Sequence, residues 1–189
     1  MTYSYAFLTL ARVPTPHQAL AAHLRGVTGL VGQFAPQLGW ANNEAAVLAR
    51  EIEPGALTVP NLVVQARIEQ LTPTLRPAND DAPRPGGIYV HRWFEVDAGA
   101  AAEFIKLSGQ GWQRFEAQFD TQIFGLFRAA PSPADREAGA QRLLLITRYA
   151  DHGVWEASRD PTSEAMQIFA RRQQLTRRTW AASTLLVGR

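Results

Sequence analysis

A connection rich in proline and glycine divides this chain, and the same alternation of strand-like and helix-like periods begins on each side of it. Pro73, Pro77, Pro83, Pro85, Gly86 and Gly87, with Asn79-Asp80-Asp81 among them, predict an irregular segment over residues 73–87. Before it, residues 3–13 are rich in aromatic and β-favouring side chains and stop at Pro14-Thr15-Pro16. There Thr15 can cap a helix that has Pro16 in its first turn. Leu20, Leu24, Val27, Val31 and Phe34 keep a helical spacing, which predicts a helix ending near Pro36 and Gly39. Extended segments follow over residues 45–52 and 62–71, the second with Leu62, Val64, Ala66 and Ile68 alternating against Val63, Gln65, Arg67 and Glu69.

After the connection, residues 88–96 read as a strand and Asp97 as a helix cap. Ala101, Phe104, Ile105, Trp112, Phe115 and Phe119 then form an apolar stripe. Strands are expected over residues 121–130 and 142–150, a second helix within residues 161–178, and a last strand over 179–187. Residues 88–187 thus spell βαββαβ, the ferredoxin-like order, and the first half spells βαββ. Sliding the halves by 81 positions lays Leu62 on Leu143, Val64 on Leu145, Arg67 on Arg148, Phe34 on Phe115 and Val31 on Trp112. The expected fold is α+β with antiparallel sheets: tandem ferredoxin-like units, seven strands and three main helices. Residues 1–76 form a truncated first repeat without its second helix and last strand, 77–86 the connection, and 87–189 a complete repeat.

The chain of 189 residues is 46% apolar and 19% charged, enough to bury a core unaided. It has no Cys, which removes disulfides, thiolate nucleophiles and Cys-based metal sites and fits a reducing, cytoplasmic setting. No basic leader precedes an apolar run and no 18-residue apolar stretch occurs, so neither a signal peptide nor a membrane span is expected. Of the 19 basic residues only Lys106 is not Arg, and the net charge is just +2. Nucleic acid is therefore not implied, and the cluster Arg171-Arg172 with Arg177-Arg178 reads as a solvated helix face.

At Leu143-Leu-Leu-Ile-Thr-Arg-Tyr-Ala-Asp, followed by Trp155 in a short helical turn, the second half resembles the NIPSNAP family of the dimeric α/β barrel superfamily. The strand Ile88-Tyr-Val-His-Arg-Trp-Phe-Glu-Val and the helix bearing Trp112 carry the same likeness. The resemblance covers residues 87–188, with a weaker echo in 3–71. It implies a ferredoxin-like sheet closed into a barrel with another, either within the chain or across a homodimer. Relatives in that superfamily include cofactor-free monooxygenases, haem-degrading enzymes and ligand-binding modules, so the resemblance leaves open whether the chain is an enzyme.

Alternation along residues 88–96 puts Tyr89, His91, Trp93 and Glu95 on one face and Ile88, Val90, Arg92, Phe94 and Val96 on the other. The second face suits packing under helices. That leaves the first for the barrel interior, where a pocket would combine apolar walls with a few polar handles. His91 could serve there as a general base, since an ordinary pKa near 6.5 permits both protonation states. It could equally be a hydrogen-bonded core histidine. Arg92 must snorkel, or pair with a carboxylate such as Glu103. Trp112 lies between Gly109 and Gly111, which suggests close backbone approach, and Trp112 and Trp155 could wall an aromatic cavity or simply pack. Trp40 and Trp180 are expected in core or interface.

The expected site is a small-molecule pocket lined by Tyr89, His91, Trp93, Trp112 and Trp155, serving a small apolar or aromatic ligand and needing no cofactor. The alternative is a structural or interaction module in which those aromatics only pack. No metal site is expected: His91 and Glu95 are too far apart on a strand, and His152 with Glu156 lacks a third ligand. No glycine-rich phosphate loop or Gly-x-Ser-x-Gly elbow occurs. RNA recognition would require aromatics on the third strand, which Gln141-Arg-Leu-Leu-Leu-Ile-Thr-Arg-Tyr lacks.

Overall fold

A computed structural model describes residues 2–51, 53–57, 59–78 and 81–188. Ile52, at the end of one expected strand, and Asn79-Asp80 of the expected connection lie outside the described residues. In chain order the elements are β1 (Tyr3–Leu10), α1 (Pro16–Leu24), β2 (Leu30–Leu38), β3 (Glu44–Arg50), β4 (Val63–Pro73), β5 (Ile88–Asp97) and α2 (Ala101–Gln118). They continue with β6 (Thr121–Ala129), α3 (Pro133–Glu137), β7 (Ala140–Tyr149), α4 (His152–Ala157), α5 (Glu164–Gln173) and β8 (Thr176–Leu186). The strands form one closed barrel in the order β1-β3-β2-β8-β5-β7-β6-β4, with antiparallel pairing between neighbours.

Within that ring β4-β1-β3-β2 is one ferredoxin-like sheet and β8-β5-β7-β6 is a second. They are joined where β2 meets β8 and where β4 meets β6. The barrel therefore closes within the chain, and every strand has two neighbours, leaving no sheet edge for a second copy to complete. Eight-stranded barrels have interiors just wide enough for side chains to fill. Here Tyr3, Tyr5, Phe34, Tyr89, Trp93, Phe124 and Phe127 meet in one buried cluster. A second buried cluster lies outside the sheet, under α2 and α5, and a third under α1.

Among the described residues eight strands are present where seven were expected, because residues 30–38 are a strand and not the end of a helix. The helix α1 ends at Leu24, and Gly29, at φ +83° and so close to the Arg50 carbonyl that a side chain there would collide with it, leads the chain into β2. A register shift between Leu30 and Gly32 then makes Val31 the extra residue of a bulge, so Val31 and Phe34, three apart, both face inward. The i, i+3 spacing that suggested a helix is that bulge. The same device recurs in β6, where a shift between Ile123 and Gly125 brings Phe124 and Phe127 together inside. The first half thus keeps its fourth strand, β4, and only its second helix is reduced, to a single 3-10 turn at Pro54–Leu57. The 81-residue offset does not match either: Phe34 lies on β2 while Phe115 lies on α2.

Candidate functional site

Strand β5 separates two environments. Its inner face carries Tyr89, His91 and Trp93 into the barrel, as the alternation predicts. His91 is 1% exposed. Its Nδ1 lies 2.9 Å from the Tyr5 hydroxyl, and the rings of Phe34 and Trp40 stand edge-on to it at centroid distances of 4.6 and 5.4 Å. Burial pushes the Tyr5 phenol well above its ordinary range, so it keeps its proton and donates a hydrogen bond to Nδ1. The ring's own proton then belongs on Nε2, which is buried without an acceptor among the described residues. Burial also drives His91 down to about 3, so at neutral pH it is an uncharged, packed imidazole. Tyr89 donates to the Arg84 carbonyl at 2.5 Å, and Trp93 stacks on Trp180 at 6.2 Å.

Trp112 and Trp155 are elsewhere. Both line a cavity of about 370 Å³ outside the barrel, between the outer face of the second sheet and the helices that cover it. The sheet contributes Arg92, Ile123, Leu145, Thr147 and Tyr149, α2 contributes Trp112 and Phe115, and α4, α5 and their junction supply the rest. The five expected site residues are therefore split, with Tyr89, His91 and Trp93 in the packed interior and Trp112 and Trp155 across the sheet. The sequence places β5 correctly on both faces. What it lacks is any sign that the helix-covered face, and not the interior, holds the space.

The glycines around Trp112 explain how this roof is built. A side chain at Gly111 would collide with the Phe169 ring, so only glycine lets α5 lie this close to α2, and Leu75 rests on Gly109 in the same manner. Ser163 caps α5 by accepting from the Met166 N–H, and Asp151 caps α4 through the Val154 N–H. Between these helices runs the segment that shapes the cavity mouth at Arg159 and Pro161.

Arg172 is the residue that sequence reasoning missed. The basic cluster read as a solvated face is not one: α5 ends at Gln173, Arg177 and Arg178 lie on β8, and Arg172 turns inward to 4% exposure. Its guanidinium lies over Phe169, Phe94 and Phe104 at 4.6, 5.0 and 5.2 Å from their centroids and donates to the Ser108 hydroxyl at 3.3 Å. Its Nε is buried without a partner, and so is Nε1 of Trp112. Burial and the neighbouring Arg92 lower Arg172 to about 9. Arg92 is half-buried and does not pair with Glu103, which pairs with Lys106 instead. Arg159 lies over the Trp155 ring at 4.8 Å. Among the described residues none of these three arginines is in an ion pair, and no carboxylate lines the cavity. The described residues also include no group of acidic, His or Cys side chains able to hold a metal ion, and no helix long and apolar enough to cross a membrane.

No protein-family model matches this sequence, and no curated protein matches it. Solved structures do. An anthrone oxidase-like protein superposes with a TM-score of 0.60 at 14% identity, over 99% of this chain and 91% of its own. A ferredoxin-fold protein of Listeria monocytogenes related to antibiotic biosynthesis monooxygenases gives 0.55 at 8%, over 100% and 97%. A heme-degrading enzyme of the same organism gives 0.57 at 6%, over 96% and 98%. The chain has the α+β, ferredoxin-like barrel fold of these proteins.

Proposed function

We propose that this protein binds a small aromatic or flat apolar molecule in the cavity between the second sheet and helices α2, α4 and α5. The observation that carries the reading is the cavity itself: about 370 Å³, walled by Trp112, Phe115, Trp155 and Phe169, with a few polar groups among them. That size and mixture suit a ligand of two or three fused rings. A purely structural role gives no reason for a space of this size walled by four aromatic rings. The NIPSNAP likeness, carried by β5, β7 and the two tryptophans, belongs to this same half of the molecule.

The chemistry of the lining favours binding over turnover. A cofactor-free oxygenase needs a base that can take a proton from its substrate. His91 is on the wrong face of β5, and the described lining residues include neither histidine nor carboxylate. Haem, which the name of one structural neighbour implies for that protein, does not fit this lining either. Met166 and Tyr149 are its side chains of axial-ligand type, and burial raises Tyr149 away from the tyrosinate that iron would need.

The test is titration with naphthalene derivatives, neutral and acidic, read by indole fluorescence. Saturable one-to-one binding is expected for at least one of them. It should be lost in Ala170→Trp, which closes the mouth from an exposed position. If none binds, or if binding persists in Ala170→Trp, the reading falls.

A further inference from the structure

We infer that the ligand of this cavity carries a carboxylate, and that Arg172 is the residue that receives it. The inference rests on the cavity being the ligand site proposed above. A guanidinium has five N–H donors and cannot relieve its burial by shedding a proton at physiological pH as an imidazole can. Proteins accordingly bury arginine against a carboxylate, a phosphate or a row of carbonyls. Arg172 has none of these among its recorded partners: one long hydrogen bond to Ser108, three phenylalanine rings and an Nε without an acceptor.

The surroundings repeat the same deficit. Arg92 shares the cavity wall and adds its positive charge to that of Arg172, Arg159 stands at the mouth over Trp155, and Trp112 offers a second buried N–H without an acceptor. Three other arginines that the chain shields from water are given carboxylates. Arg142 is gripped by both Glu69 and Asp135 at 2.9–3.0 Å, Arg76 by Glu116 at 2.7 Å and Arg148 by Asp120 at 2.7 Å. Other arginines outside any ion pair, such as Arg12, Arg25, Arg128 and Arg171, are exposed to water, whereas Arg172 is buried. A flat aromatic acid satisfies the deficit around the cavity: its ring lies among Trp112, Phe115, Trp155 and Phe169, and its carboxylate accepts from Arg172 with Arg92 close by.

Binding of 2-naphthoate and of its neutral isostere 2-naphthamide, measured by indole quenching and by calorimetry, tests this. The acid is expected to bind at least tenfold more tightly than the amide, and Arg172→Met should bring the ratio close to one. Should that variant not fold, Arg92→Gln and Arg159→Gln, at half-buried and exposed positions, should each lower the ratio severalfold. Equal affinity for acid and amide in the unaltered protein, or a ratio that survives Arg172→Met, overturns the inference while leaving the cavity as a binding site. Failure of both probes to bind overturns that reading and the inference with it.

Discussion

The two faces of β5 each bury a basic nitrogen group among aromatic rings, and they treat it in opposite ways. Inside the barrel, His91 gives up its charge, accepts a hydrogen bond from the Tyr5 hydroxyl and is ringed by Phe34 and Trp40. Outside, Arg172 cannot give up its charge so readily, and the rings around it leave N–H donors over. The difference teaches that aromatic surroundings alone do not distinguish a core from a site. What distinguishes them is charge: the imidazole sheds it and leaves one neutral Nε2–H without an acceptor, whereas the guanidinium keeps its charge with no counter-ion among the described residues. By that measure it is the space under α5 that calls for a partner from outside the chain.

The largest expected effect tests the first half of the contrast. A histidine held near 3 in the folded state, against an ordinary 6.5, binds its proton far more weakly than the unfolded chain does. At pH 7 both states are mostly neutral and the difference contributes little. As pH falls below about 6.5 the unfolded chain takes up a proton that the native state refuses, so stability drains between about 6.5 and 3, by at most about 5 kcal/mol. Acid titration of the unfolding free energy should show this slope, and His91→Gln should flatten it. An unchanged slope in that variant would mean that His91 is not the uncharged core group described.

Next comes Tyr5→Phe, which removes the donor but keeps the ring. It should cost about 1–3 kcal/mol in denaturant unfolding, because Nδ1 is left buried without a partner. It should leave 2-naphthoate binding alone, since the β5 backbone lies between the two regions. A change in affinity comparable to the change in stability would break the separation of interior from cavity.

How much of this was legible in the sequence follows from where each signal resides. The alternation in Ile88-Tyr-Val-His-Arg-Trp-Phe-Glu-Val is a local property, and it sorted both faces of β5 correctly. The helical spacing of Val31 and Phe34 is also local, but a bulge counterfeits it, and only the pairing with β3 reveals the extra residue. Tyr89, His91 and Trp93 had the composition of a pocket lining, yet Phe34, Trp40 and Phe127, from distant segments, fill the space around them. The cavity depends instead on how α5 packs against α2, which Gly111 against Phe169 makes possible and which has no period to read. Arg172 was hidden by its neighbours: Arg171, Arg177 and Arg178 are exposed, and a run of charges reads as solvated.

Arg172→Met bears on the second half of the contrast with a gain and not a loss. Replacing an unpaired buried cation by an apolar chain of similar length should raise the stability of the ligand-free protein by about 1–2 kcal/mol. The same change would be strongly destabilising if the guanidinium were satisfied by the chain. A rise in Tm with loss of the preference for 2-naphthoate is therefore the joint signature of a binding residue kept at a cost in stability.

Arg159→Gln should show the smallest effect and sharpens the comparison most finely, because Arg159 lies at the mouth, exposed, with only the Trp155 ring against its guanidinium. An exposed cation over an indole contributes little to folding, so unfolding free energy should stay within about 0.5 kcal/mol. Its contribution to an incoming anion is through space, screened by solvent, and should act on the association rate more than on dissociation. Stopped-flow binding of 2-naphthoate should therefore show a severalfold slower on-rate in Arg159→Gln at low salt, a difference that fades at 0.5 M salt, roughly where the screening length falls below about 5 Å. An equal effect at both salt concentrations would place Arg159 in direct contact with the carboxylate and give it the role assigned here to Arg172.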